Sequence, residues 1–258
     1  MATIGAPTLA EHLRAGEDIK LVPYLMAGYP DRQGSIDLGR LFADVGAAAI
    51  EVGIPFSDPL ADGPVIQRAG KEALDRGMTV GGALDVAAEL AALGPPIVLM
   101  TYVNPVLTYG VQRFAADASD AGVAGVIVPD LPVEESEGIA GPLQEAGLDT
   151  VFLVAPTSPD ERIDAICRAS RGFVYCVTLT GVTGVRRELD PGLQELLGRV
   201  RARSRVPVAT GFGISLPEHI VRLRGHADAA VVASAVLAEV QAGRDPRPLL
   251  DGLRAACR

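Results

Sequence analysis

Apolar positions along the chain follow two alternating patterns. Short runs rich in Val, Ile, Leu and Ala recur at residues 21–26, 48–53, 97–101, 123–128, 150–154, 173–178, 206–210 and 229–233. Each run is nearly continuous, as expected for strands covered on both faces in a parallel sheet. Between them lie stretches with helical spacing, such as Leu38, Leu41, Phe42 and Val45, or Leu193, Leu196, Leu197 and Val200. The pattern predicts eight strand–helix units. The connection from 62 to 93 is long enough for two helices, and an extra helix is expected ahead of the first strand.

Local punctuation supports these boundaries. Asp31 follows Pro30 at a helix start, and Ser158-Pro159-Asp160-Glu161 reads as a capping box with Pro at the first helical position. Ser215-Leu216-Pro217-Glu218 repeats it. Gly46, Gly122 and Gly147 fall where helices should end. Strict alternation predicts a closed (β/α)8 TIM barrel, a single α/β domain over residues 1–258. An open doubly wound sheet would carry a Gly-rich fingerprint after its first strand, and Ala27-Gly28-Tyr29-Pro30 is not one.

Composition narrows the function. The chain has 258 residues, against the roughly 250 typical of such barrels. Its net charge is −9 and no basic stripe offsets it, which argues against nucleic acid or an anionic membrane as partner. Cys167, Cys176 and Cys257 lack regular spacing and read as reduced, buried thiols, consistent with a cytoplasmic protein. The scattered His12, His219 and His226 form no metal pattern. No secretory signal or membrane-length apolar run is visible.

Glu51 breaks the apolar pattern inside the second strand. Alternation puts it on the same face as the small Ala49 and Gly53, inside the barrel, with Ile50 and Val52 toward the helices. A buried carboxylate there is either a structural ion pair or an acid–base group with a raised pKa. Asp62 lies eleven residues on, in the loop after the same strand, on the face where such barrels hold their active sites. Alone, its Asp-Gly step is ordinary turn chemistry. Beside Glu51 it suggests two carboxylates in different environments, one moving protons and one kept ionised. Gly-rich turns follow the sixth and seventh strands, at 181–184 and at Gly211-Phe212-Gly213, and Ala233-Ser234 follows the eighth at a helix start. Together they suggest a phosphate held by backbone N–H groups and a helix N-terminus, with the 181–184 turn as third edge or lid. Tyr175, inside the sixth strand, suits a packing role and a site role equally.

Residues 50–64, Ile50-Glu51-Val52-Gly53-Ile54-Pro55-Phe56-Ser57-Asp58-Pro59-Leu60-Ala61-Asp62-Gly63-Pro64, resemble the signature of the tryptophan synthase alpha subunit family. The resemblance extends over essentially the whole chain. It includes Met100-Thr101-Tyr102-Val103-Asn104-Pro105-Val106-Leu107, the segment from Pro129 to Ser136, Thr180 to Gly184, and Thr210-Gly211-Phe212-Gly213-Ile214-Ser215. It implies a lyase that cleaves indole-3-glycerol phosphate to indole and glyceraldehyde 3-phosphate by retro-aldol chemistry. By that resemblance Glu51 is the proton carrier, Asp62 stabilises positive charge on the ring nitrogen, and Tyr175 is an active-site tyrosine. Tyr24, Met100, Ile127, Pro129, Leu153 and Phe212 fall at the indole pocket, and Thr183 at a lid contact to the aspartate. Gly184, Gly213, Ala233 and Ser234 fall at the phosphate. No cofactor is implied on this chain. The resemblance implies an alpha2beta2 complex with a pyridoxal-phosphate-dependent beta subunit, contacted through residues 55–59, Asn104-Pro105 and 132–135.

Three departures from the family pattern stand out: Met26 in the first strand, Leu179-Thr180, and Ala233 where a phosphate-contacting glycine is usual. The last matters only if the backbone there needs positive φ or close approach. These departures leave open a stand-alone, indole-releasing enzyme, or a non-catalytic partner of a beta subunit. A different phosphate-handling barrel, such as an isomerase or aldolase, is the remaining alternative. It predicts a lysine at a strand end or another acid–base pair, and Lys20 and Lys71, the only lysines, are both expected outside the strands.

Overall fold

The computed structural model describes residues 8–14, 18–177, 192–211 and 213–258. Along the chain come α1 (Leu9–Arg14), β1 (Lys20–Met26), α2 (Arg32–Asp44), β2 (Ile50–Gly53), α3 (Pro64–Asp75), α4 (Val80–Ala91) and β3 (Ile97–Met100). They are followed by α5 (Val103–Tyr109), α6 (Val111–Asp120), β4 (Val123–Ile127), a single 3-10 turn (Val133–Glu135), α7 (Glu137–Glu145), β5 (Asp149–Val151) and β6 (Leu153–Val154). The chain ends with α8 (Asp160–Ala169), β7 (Val174–Cys176), α9 (Leu193–Arg201), β8 (Val208–Thr210), α10 (Pro217–Leu223), β9 (Ala229–Val232), α11 (Ser234–Gln241) and α12 (Arg247–Ala256).

All pairings are parallel, in the order β5-β4-β3-β2-β1-β9-β8-β7-β6. The first strand pairs with the last, Lys20 opposite Ala229, which an open doubly wound sheet cannot do. The two ends of the order, β5 and β6, are consecutive in sequence and separated only by Phe152. The predicted fifth strand is therefore split: β5 pairs with β4, while the Phe152 carbonyl accepts from Tyr175 N–H on β7. The sheet is a TIM barrel with its fifth strand divided. The two helices expected between 62 and 93 are α3 and α4, and α1 is the expected extra helix.

Alternation sorts the core into layers. Val22, Ala49, Val98, Ile127, Val151, Phe173 and Ala209 pack inside the barrel. Leu21, Leu25, Ile50, Val52, Ile97 and Leu99 face the helices, meeting Phe42, Leu90, Phe114, Leu196 and Leu197. Cys167, Cys176 and Cys257 are free and buried. Helix α1 closes the end of the barrel remote from the mouth with Leu9 and Leu13, both buried in the interior cluster. Gly172, at φ +75°, and Gly125 leave room for the Leu9 side chain. Replacing Leu13 with Ala should cost about 2–5 kcal/mol in urea unfolding, with kcat little changed because the plug is far from the mouth. An unfolding midpoint equal to wild type would show that the plug contributes nothing.

Helix ends agree with the sequence in part. Asp31 caps α2 by accepting from Gly34 N–H, and Gly46, Gly122 and Gly147 take positive φ after α2, α6 and α7. Neither Ser-x-x-Glu capping box forms. Pro159 is the N-cap of α8, and Ser158 Oγ instead accepts from Ala155 N–H, stabilising the preceding turn. Leu216 is the N-cap of α10, and Ser215 donates its N–H to His219 Nδ1. In both places Pro stands at the helix start, and the Ser158 hydroxyl serves the preceding loop while Ser215 contributes its backbone N–H. Lys20 is also a correction: it is the first residue of β1, not outside it. It sits at the strand's N-terminal end, away from the catalytic face, so it offers no Schiff-base lysine there. Among the described residues, no helix is long and apolar enough to cross a membrane.

Candidate active site

The C-terminal ends of the strands open onto a cavity. Glu51 reaches it from β2. Its backbone is in register with Tyr24 on β1 and Val98 on β3, and it is only 3% exposed. Gly53 is the reason this crowding works: a Cβ there would collide with the Tyr24 hydroxyl. No cation partners Glu51 among the described residues, so the structural ion pair is excluded there, and its Oε2 is buried without a hydrogen bond. Burial first, and the charge of Asp62 second, push the Glu51 carboxyl up to about 8. At neutral pH it is a protonated acid.

Asp62 enters from the loop between β2 and α3. Burial raises its carboxyl to about 6, while a hydrogen bond from Tyr102 opposes the shift. It is thus mostly ionised at pH 7. The sequence suggested one proton-bearing and one charged carboxylate, and these environments differ in that sense. Tyr102 was not singled out, although it lies in a quoted block after the third strand. Its hydroxyl both donates to Asp62 and accepts from Ala61 N–H at 3.2 Å, and its ring lies 5.4 Å from that of Phe56. The signal available in the sequence was its position, on a loop of the catalytic face beside a carboxylate-bearing loop.

Tyr24, Met100, Ile127, Pro129 and Leu153 line the carboxylate end of the cavity, as does Tyr175. This is an apolar slot with two acids at its edge, suited to a flat aromatic ring. Tyr175 fits because Gly211 lacks a Cβ that would strike its hydroxyl. Burial and the two carboxylates hold the phenols of Tyr24 and Tyr175 far above their ordinary range, so both remain neutral.

Gly213, Ser215, Ala233 and Ser234 form the opposite end. No lysine or arginine lines the cavity among the described residues, so an anion there would rely on backbone N–H groups. Gly213 has φ +81°, and Ser234 opens α11 with Ala233 as its N-cap. Ala233 has φ −111°, a value any L-residue adopts, so the backbone strain feared from its methyl does not arise. Phe212, Thr183, Gly184 and the whole 181–184 turn, with Leu179-Thr180, lie outside the described residues. Among the described residues no group of three or more His, Cys, Asp or Glu is placed to hold a metal.

A family model described as tryptophan synthase alpha chain matches residues 10–258. The tryptophan synthase alpha chain of Roseiflexus sp. (strain RS-1) is 48% identical over 228 residues, 88% of this chain and 87% of that protein. That of Rippkaea orientalis is 43% identical over 250 residues, covering 96% and 93%. A structure of Mycobacterium tuberculosis tryptophan synthase superimposes with a TM-score of 0.91 at 39% identity, covering 97% of this chain and 96% of that one. A mutant alpha-subunit from Pyrococcus furiosus gives 0.82 at 40% identity, covering 93% and 96%.

Proposed function

The chain belongs to the tryptophan synthase alpha chain family, the lyase subunit that cleaves indole-3-glycerol phosphate, and from that premise we propose that Glu51 and Asp62 divide the acid–base work of the cleavage. Protonated Glu51 delivers its proton to C3 of the indole ring. The ring nitrogen gains positive charge, which the Asp62 carboxylate stabilises. Glu51, now ionised, takes the proton of the side-chain hydroxyl, the bond between ring and side chain breaks, and the electron pair restores aromatic indole as glyceraldehyde 3-phosphate forms. Tyr175 packs beside the reacting ring with Tyr24, Met100, Ile127 and Leu153, while Gly213 and Ser234 hold the phosphate. Thr183, Gly184 and Phe212 complete the site by family resemblance. The observation that carries this reading is the pair of carboxylates in one cavity with unlike environments, one raised to about 8 and the other to about 6. An assay of indole release from indole-3-glycerol phosphate tests it, and absence of indole from the purified chain with or without a beta subunit would end it.

Tyr102 supports the assignment through Asp62. Its hydrogen bond favours the charged carboxylate, so Tyr102→Phe should raise the pKa of Asp62. The acid limb of the kcat/KM profile then moves to higher pH, by about half to one unit for the loss of one bond. An unmoved limb would separate Tyr102 from the chemistry.

The family implies a beta-subunit partner and is not known to need a cofactor on this chain. The finer reading is a cytoplasmic alpha2beta2 complex, with pyridoxal phosphate on the beta subunit and the whole chain acting as one barrel domain. Phe56, Ser57, Asn104 and Pro105 line one surface hollow, and Leu60, on the same loop as Phe56 and Ser57, is 91% exposed. That apolar exposure suits coverage by a partner. Adding beta subunit should raise turnover, whereas full speed from the chain alone would favour the stand-alone enzyme.

A further inference from the structure

We propose that His219 is a positioning residue for the phosphate end of the cavity, acting through the loop that joins β8 to α10. The proposal rests on the cleavage reading above and assigns the loop a support that lies outside the cavity lining. His219 is in the first turn of α10 and is 1% exposed. Its Nδ1 lies 3.2 Å from the Ser215 backbone nitrogen. A backbone N–H can only donate, so Nδ1 carries the lone pair and the ring proton is on Nε2. The Ser215 N–H donates to a side chain of the helix's first turn, so His219 takes the part that Glu218 would play in the capping box suggested by Ser215-Leu216-Pro217-Glu218.

This has two consequences for an anion in the cavity. Ser215 lines the cavity, but its N–H is directed to the imidazole and not to an anion there, whereas Gly213 and Ser234 remain among the described lining residues that can supply backbone N–H groups. Two anchors of the loop lie among the described residues. Ile214, 3% exposed, packs into the layer between barrel and helices, and Ser215 is tied to His219 one residue later. Gly213, with φ +81°, stands next to these anchors; the space where a Cβ would project is open, and as a glycine it has no side chain of its own to hold it. Its backbone direction therefore depends on Ile214 and Ser215, and through Ser215 on the imidazole. Leu216 as N-cap provides no side-chain bond of its own.

Three variants test this: His219→Ala removes the acceptor, His219→Leu keeps apolar bulk without it, and His219→Asn restores an acceptor oxygen at the position of Nδ1, two bonds from Cβ. The readouts are KM and kcat for indole-3-glycerol phosphate and the inhibition constant of inorganic phosphate, with unfolding midpoints alongside. Loss of one net hydrogen bond corresponds to about three- to tenfold. His219→Ala and His219→Leu should raise KM and the phosphate constant by that factor, with kcat falling less than KM rises. His219→Asn should return both to within about twofold. Wild-type phosphate affinity in the leucine variant, or an asparagine variant as weak as the leucine one, overturns the proposal. If the wild-type chain binds phosphate but releases no indole, the cleavage reading fails while the phosphate constants still decide the role of His219.

Discussion

Glu51→Gln should lower kcat for indole release by about 10²–10⁴-fold, the range for loss of a positioned acid–base group, while making the protein more stable at alkaline pH. The two effects share one cause. Glu51 is 3% exposed with an unpartnered Oε2, and its carboxyl is raised from 4.5 to about 8. A carboxyl with a higher pKa folded than unfolded binds more protons in the native state between those values. Its contribution to stability is thus intact below about pH 4.5 and is lost as pH rises through about 8. At pH 8–9 the wild-type fold carries a buried charge that glutamine lacks, a difference on the order of a few kcal/mol. Urea unfolding of both proteins at pH 5 and pH 9 measures it. Equal midpoints at both values would mean that Glu51 is not held protonated by burial. Wild-type turnover would remove it from the mechanism.

How much of this could be read from the sequence depends on distance along the chain. The barrel was legible because each strand is a local apolar run, and the position of Glu51 followed from alternation with Ala49 and Gly53. The break at Phe152 was not, because residues 150–154 form one apolar run and only pairing to different neighbours, β4 and β7, divides them. Both serine caps were misread for a related reason. Ser158 and Ser215 have the right local spacing, but Pro159 and Leu216 stand at the N-caps instead, the Ser158 hydroxyl turns to its own loop, and Ser215 gives its backbone N–H to His219. The Ala233 question needed a dihedral angle, which composition does not supply. Tyr102 and His219 act on residues 40 and 4 positions away, Asp62 and Ser215, through contacts visible only in three dimensions.

Asp62→Asn should reduce kcat/KM by about 10²–10³-fold, the scale of removing one preorganised electrostatic contact to a developing charge, and should also reshape the pH profile. In the wild type, kcat/KM should rise as Asp62 ionises near 6 and fall as Glu51 loses its proton near 8. These are properties of an interacting pair, since the Asp62 charge is itself a cause of the Glu51 shift. Asparagine keeps the shape and can still accept from Tyr102, but it carries no charge and does not titrate. The acid limb should therefore disappear. The alkaline limb should move to lower pH, because Glu51 no longer faces a negative neighbour, yet it should remain above the ordinary carboxylate value because burial is the larger cause. Loss of one limb together with downward movement of the other distinguishes an electrostatic role from a packing defect, which would lower the whole profile without displacing it. A residual profile with both limbs in place would assign the charge on the ring nitrogen to some other group.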